Sequence, residues 1–370
     1  MHSFDVSLSP DQFGATRRCL IDSDVFGVEL FRYATGVPAV RLKNARGFLE
    51  VLPYCGQMIW SARFDGVDLA MGSPFRAPRP TRDLLATYGC FLYHSGILRN
   101  GNPGPDDDHA LHGEMPCAPM EKAKVSMGAD DGGPYLELTS ECEYLRGFGD
   151  HYLARPAVRL RPESACFEVR MAVRNLGREP MDLMYMCHAN FAFHPDARLI
   201  QPAAFDASHT AIRASVPAIV EASPEYLQRL AALGRDPSAT ETLDRLRLFD
   251  PEVVFYLRQL RESSDGLTRF MMRRADGSAS CVRYRQREFP HAIRWLLNNS
   301  RAQVAGFAMP ATCEVEGYAA ERKKGNVRQL AGGATAEFSV ELGHLTQVEA
   351  AAEERMLRDG RRSDAEGVSR

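Results

Sequence analysis

The chain contains no run of apolar residues near the roughly 20 needed to span a bilayer, so no membrane partner is expected. It has no excess of positive charge. Its 45 Lys and Arg stand against 48 Asp and Glu, for a formal net charge of -3. Without a basic stripe, nucleic acid is not an expected partner. It has no CxxC pair. Nine irregularly spaced cysteines argue against a disulfide framework and a thiolate zinc site. They point instead to buried free thiols in a reducing compartment. The opening MHSFDVSLSPDQF lacks a basic region followed by an apolar one, so no signal peptide is expected and the expected location is the cytoplasm. There is no obvious internal repeat and no linker.

What is present is a globular balance of 45% hydrophobic and 25% charged residues over 370 positions, organised as short strand-like runs. VFGVELFRY, AVRLKNARGFLEVLPY and QMIWSARFDGVDLAM alternate apolar and polar residues. The Asp65-Gly66 pair fits a tight hairpin turn. Strands return between 122 and 195 and again from PEVVFYLRQL onward, closing with TAEFSVELGHL. The exception is a helical insertion near 224–247, where Leu227, Leu230 and Leu233 recur at helical spacing and Ser223 fits a cap. The expected organisation is one mainly β domain over 1–350, followed by a poorly ordered or helical tail over 351–370. An exposed sheet edge would allow a homodimer.

One stretch is chemically dense. PDDDHALHGEMPCA, residues 105–118, places three aspartates, two histidines and a glutamate among turn-forming Pro and Gly. Such a stretch suits a solvated loop or the lip of a pocket. Asp106, Asp107 and Asp108 read as solvated charges. His109 and His112 have H-x-x-H spacing, but no helix to make it a chelate.

Several segments, in consistent order from about 45 to 345, resemble aldose 1-epimerase-like (galactose mutarotase-like) proteins, in a divergent branch of unknown specificity. GFLEVLPYCGQMIWSARFDGVDL resembles their opening hairpins and ALHGE their first histidine motif. VRNLGREPMDLMYMCHANFAF resembles the strand carrying their second histidine, FPHAIRWLL a later strand beside the sugar pocket, and LAGGATAEFSVELGHL their closing strands. The resemblance implies a β-supersandwich with a sugar site on a concave sheet face. It implies mutarotation of a free monosaccharide: a base takes the anomeric proton while an acid protonates the ring oxygen, and no cofactor is needed. His188 would be the acid and His112 its companion. Alternation along a strand would put Asn190 on the face of His188, with Tyr185, Cys187, Ala189 and Phe191 behind.

The sequence departs from that pattern where the base should stand. Met309 precedes Pro310 there, and methionine accepts no proton from a sugar. Glu316 is the preferred replacement, with Glu314, Glu321 and Glu114 as further carboxylates. Trp295 would stack on a sugar. Arg294 and His291, close to it, are candidate substrate contacts, and an arginine there would favour an acidic sugar. Glu114 is a candidate contact through its place beside His112. Two alternatives stay open. His112 and His188 could hold a divalent metal for isomerase or lyase chemistry, or the protein could bind a sugar without turnover.

Overall fold

Strands with one apolar face must cover it, and here two sheets cover each other. The computed structural model describes residues 4–217, 220–243 and 249–366. It shows an antiparallel sheet of nine strands packed on one of fourteen. The apolar core between them draws on both, with Val40, Phe64 and Leu92 from the larger sheet and Leu138 and Val169 from the smaller. Each such fully buried side chain contributes about 2 kcal/mol.

The larger sheet positions the site. Five of its strands lie side by side in the order Val253–Leu257, His291–Asn298, Gln303–Ala311, Met181–Ala189 and Leu92–Ile97. The Met181–Ala189 strand is flanked on both sides and covered on both faces. That is why MDLMYMCHA is apolar with little alternation. Tyr185, Cys187 and Ala189 enter the inter-sheet core. Met186 joins a second apolar layer on the outer face, with Val254, Ile293, Met309 and Val315. Trp60 belongs to a third cluster under the loops, with Phe31, Leu52 and Met58.

The local signals act as their chemistry dictates. Asp65 and Gly66, at φ 50° and 79°, turn the Ile59–Phe64 strand into Val67–Asp68. The helix Pro224–Arg235 begins where the Ser223 side chain accepts from the Tyr226 N–H at 3.2 Å. It buries Tyr226, Leu230 and Leu233, while Leu227 is exposed. Residues 244–247 of the expected insertion lie outside the described residues. A last helix spans Gln347–Glu366 and packs Ala350 and Leu357 against Met271 and Cys281. Residues 367–370 also lie outside the described residues. All nine cysteines are free thiols. No helix of the described residues is long and apolar enough to cross a membrane.

The loop that carries His112 is fixed by backbone contacts. The His112 N–H donates to Gly101 O at 2.9 Å, and its carbonyl accepts from Gly96 N at 2.9 Å. Gly113 follows at φ 80°, where a Cβ would meet Arg99 O at 2.0 Å and Gly96 O at 2.6 Å. Gly113→Ala should therefore destabilise the fold by about 2 kcal/mol or more through strain and collision. Urea unfolding measures it, and an unchanged midpoint would contradict this account of the loop.

Candidate active site

Two imidazoles from distant parts of the chain meet on the outer face of the larger sheet. His188 lies on the Met181–Ala189 strand, opposite Tyr93 in the cross-strand register. Its ring stacks on Tyr93 with centroids 4.3 Å apart and planes at 20°. His112 reaches in from its loop and meets His188 edge to face, with centroids 4.9 Å apart at 80°. His112 itself holds φ 61°, a left-handed conformation that costs a side-chain-bearing residue of order 1 kcal/mol. Trp295 packs on the other side of His188 at 5.7 Å. Tyr88 closes the group, 5.8 Å from Trp295 and 6.4 Å from His188. His112, His188, Trp295 and Tyr88 line a cleft of about 1490 Å³ floored by Met186, Ile293 and Met309.

The polar half of the cleft is an ion pair. Glu252 immediately precedes the Val253–Leu257 strand, which pairs with the His291–Asn298 strand so that Val254 faces Trp295. One Glu252 oxygen accepts from Arg213 Nη2 at 2.5 Å, and the other accepts from Trp295 Nε1 at 2.8 Å. Arg213 is 5% exposed and also donates from Nε to Ser215 O at 3.1 Å. Its charge reaches His112. Burial first, and then Arg213, push the His112 imidazole down to about 3. Burial, reinforced by the neighbouring His112, holds His188 well below the ordinary histidine range. Both rings are therefore uncharged near neutral pH, each able to offer one N–H and accept at the other nitrogen. The Nδ1 atoms of both are buried and find no hydrogen-bond partner among the described residues. An unpaired buried nitrogen costs about 1–3 kcal/mol, which marks the pair as a place where a polar ligand would be favoured.

Residues 34–343 match the family described as Domain of unknown function (DUF4432). The chain belongs to that family. No curated protein matches the DUF4432 chain by sequence. Solved structures share its fold. A "putative aldose 1-epimerase" from Klebsiella pneumoniae superposes with a TM-score of 0.79 at 16% identity, covering 96% of this chain and 95% of that one. A galactose mutarotase-like protein from Clostridium acetobutylicum gives 0.57 at 11% identity, covering 87% and 99%. A galactose mutarotase related enzyme from Lactobacillus acidophilus gives 0.56 at 12% identity, covering 84% and 98%. The DUF4432 protein is thus a galactose mutarotase-like β-supersandwich.

The remaining candidates named from the sequence do not line the cleft, although the Asn190 side chain lies against the His188 ring and acts to raise it, against the larger effect of burial. Arg294 neighbours Trp295 in the strand, so its side chain points to the opposite face. It is buried between the sheets, donating from Nε to Phe307 O at 3.0 Å and from Nη2 to Gln201 Oε1 at 2.6 Å. Burial pushes its guanidinium down to about 9. His291 shares the face of Trp295 but stands at the far end of the strand, within reach of the charges of Glu314 and Glu321. Asn190 follows the end of the Met181–Ala189 strand, so the alternation stops short of it. It is fully buried and donates from Nδ2 to Cys90 O at 3.1 Å. Glu114 is turned into the scaffold, where Oε1 accepts from Ile97 N, Leu98 N and Tyr152 OH. None of these four side chains lines the cleft.

Glu316 does not line it either. Residues 313–317 form a loop, so parity along a strand does not orient them. One Glu316 oxygen accepts from Ser215 Oγ at 2.8 Å, and the other lies 2.5 Å from Lys324 Nζ. Burial acts to raise this carboxyl, but Lys324 and Ser215 outweigh it and hold it below its ordinary value. Glu314, Glu316 and Glu321 lie close enough together to hold a cation. They already surround one, since Lys324 Nζ is also 2.7 Å from Glu314 and 2.8 Å from Glu321. Asp107 is another correction. Its side chain is 2% exposed, because its oxygens accept from Gly104 N and Ala319 N at 2.8 Å each. Asp106 and Asp108 are exposed, as a solvated loop requires. Arg213, Glu252 and Tyr88 were not singled out from the sequence. The one usable signal was Glu252, a carboxylate at the entrance of the apolar run VVFYL.

Three deeply buried histidines set the acid stability. Burial pushes His94 and His112 down to about 3 and holds His188 well below the ordinary histidine range. Unfolded histidines take up protons near pH 6.5, and these three do not while folded. Their contribution is therefore complete above pH 6.5 and lost as pH falls below it. Each histidine adds a slope of up to about 1.4 kcal/mol per pH unit. Unfolding free energies at pH 7.0, 6.0 and 5.0, above the range where carboxylates titrate, should fall steadily. A flat profile would show that the rings are not held neutral.

Proposed function

We propose that the cleft binds the ring of a free, uncharged monosaccharide and interconverts its anomers by acid/base chemistry without a cofactor. The observation that carries this reading is the convergence of His112 and His188, 4.9 Å between ring centroids, beside an indole in a cleft large enough for a sugar. Mutarotation needs a group that takes the anomeric proton and one that protonates the ring oxygen. Held uncharged, each imidazole presents one N–H and one acceptor nitrogen to a sugar's oxygens. The Trp295 face offers a stacking surface for the apolar C–H groups of a pyranose.

An uncharged substrate fits the electrostatics. The cleft is lined by Arg213, Arg229 and Arg301 against Glu221, Asp250 and Glu252, so its formal charge is balanced. Arg213 is engaged by Glu252, and Arg294, which would have favoured an acidic sugar, is turned into the core. Met309 in the cleft floor favours a second reading, binding without turnover, because methionine supplies no base.

Saturation-transfer NMR on a panel of hexoses, pentoses and uronates separates the two. The wild type should accelerate anomer exchange of at least one neutral sugar, undiminished by EDTA. His188→Ala and His112→Ala should each lower the rate by about a hundredfold or more. Calorimetric binding of a sugar with no exchange would establish the second reading. Folded protein that neither exchanges nor binds any sugar on the panel would remove both.

A further inference from the structure

We infer that Glu252 is the carboxylate that takes the anomeric proton, standing in from another strand for the base that Met309 cannot be. This rests on the mutarotation reading above. Met309 and His188 stand on neighbouring strands and both line the cleft. With a thioether there, the carboxylate must come from elsewhere on the cleft wall.

Few carboxylates can serve. Glu314, Glu316, Glu321 and Glu114 do not line the cleft. Of the three that line the cleft, Glu221 and Asp250 are exposed at the rim. Glu252 is the partly buried one, its side chain 13% exposed. It also belongs to a closed circuit around the cleft. Glu252 bonds Trp295 at 2.8 Å, Trp295 packs on His188 at 5.7 Å, and His188 meets His112 at 4.9 Å. His112 feels Arg213, and Arg213 returns to Glu252 at 2.5 Å.

Arg213 and Trp295 each occupy one position on a Glu252 oxygen. A carboxylate offers about four lone-pair positions, so each oxygen keeps one for a sugar hydroxyl. The resting pair is uncharged; in the acting form, a minor population at neutral pH, Glu252 carries its charge and the histidine pair carries one added proton. The O1–H proton passes to Glu252 as the C1=O1 bond forms and the C1–O5 bond breaks. O5 takes the added proton from the histidine pair. After rotation about C1–C2 the ring closes on the other face and both protons return, so nothing is consumed.

The test compares wild type, E252Q and E252A by anomer-exchange NMR on the sugar the wild type turns over. E252Q should lose about a hundredfold or more in kcat with KM changed by a few fold at most. Formate added to E252A should restore at least about tenfold of the lost rate, a rescue that a merely structural carboxylate would not show. Should E252Q fail to fold, E252D keeps the charge beside Arg213 but withdraws it by one methylene. It should retain a measurable rate at least about tenfold below wild type. A folded E252Q or E252D at the wild-type rate, or an E252A indifferent to formate, overturns the assignment while leaving mutarotation intact. A wild type that accelerates no sugar removes the mutarotation reading, and this assignment with it.

Discussion

Two uncharged imidazoles packed against each other under a cleft constrain everything around them. A buried charge on either ring would repel the other and lose its hydration. The pair is stable only if its surroundings keep it neutral, and they do so by enclosure. Tyr93 covers one face of His188, Trp295 packs at its side and His112 presses on its edge. The nearest positive charge is neutralised in place, because Arg213 is bonded to Glu252. The Met186, Ile293 and Met309 floor beneath adds apolar contact and no competing polar group. Dryness and neutrality are thus one property of this site, and both follow from strand register.

The acidic cluster nearby shows how similar residues take a different role under different solvation. Glu321 is fully buried. It accepts from Glu314 N at 3.0 Å, Asn326 Nδ2 at 2.7 Å and Lys324 Nζ at 2.8 Å. A buried carboxylate tolerates its lost hydration only when its oxygens are satisfied this fully. The result is a fixed loop, 313–317, from which Val315 reaches the cleft while its acidic neighbours do not. Through Asn102 N to Val315 O at 3.0 Å, and Asp107 to the N-terminus of the Tyr318–Lys324 helix, this loop also steadies the segment carrying His112. The carboxylates that looked catalytic in the sequence belong to the support.

That contrast explains what could be read from residues alone. The two histidines were legible because their motifs are local, and each was tied to a recognisable strand or loop. Trp295 was legible because aromatic residues in a half-buried strand announce a surface. The β architecture and the helix after Ser223 were legible through periodicity and capping. Arg294 was misplaced for lack of parity, since one residue along a strand reverses the face. Glu316 was misplaced for the opposite reason, because parity was applied to a loop. Asp107 looked solvated because its partners, Gly104 N and Ala319 N, are backbone groups that no side-chain pattern reveals. Glu252 and Arg213 left almost no mark, because their meaning lies in a pairing between strands far apart in sequence.

On the proposed reading, strand spacing lets a carboxylate change strands without dismantling the site. Adjacent strands lie about 4.8 Å apart, so the step from the strand of Met309 across that of Trp295 to the start of the Val253–Leu257 strand is roughly 10 Å. A glutamate side chain and the indole N–H cover part of that span from either side, and a pyranose ring lying on the indole covers the rest. A base next to His188 would act on the same edge of the sugar as the imidazole. On the proposed reading a base beyond Trp295 and the imidazole still converge on C1, which carries both O1 and O5, so that substrate orientation, and not direct contact between base and acid, brings the anomeric hydroxyl to the carboxylate. On the proposed reading, what separates this chain from the solved structures that share its fold, at 16% identity or less for those compared, is the strand from which the carboxylate comes.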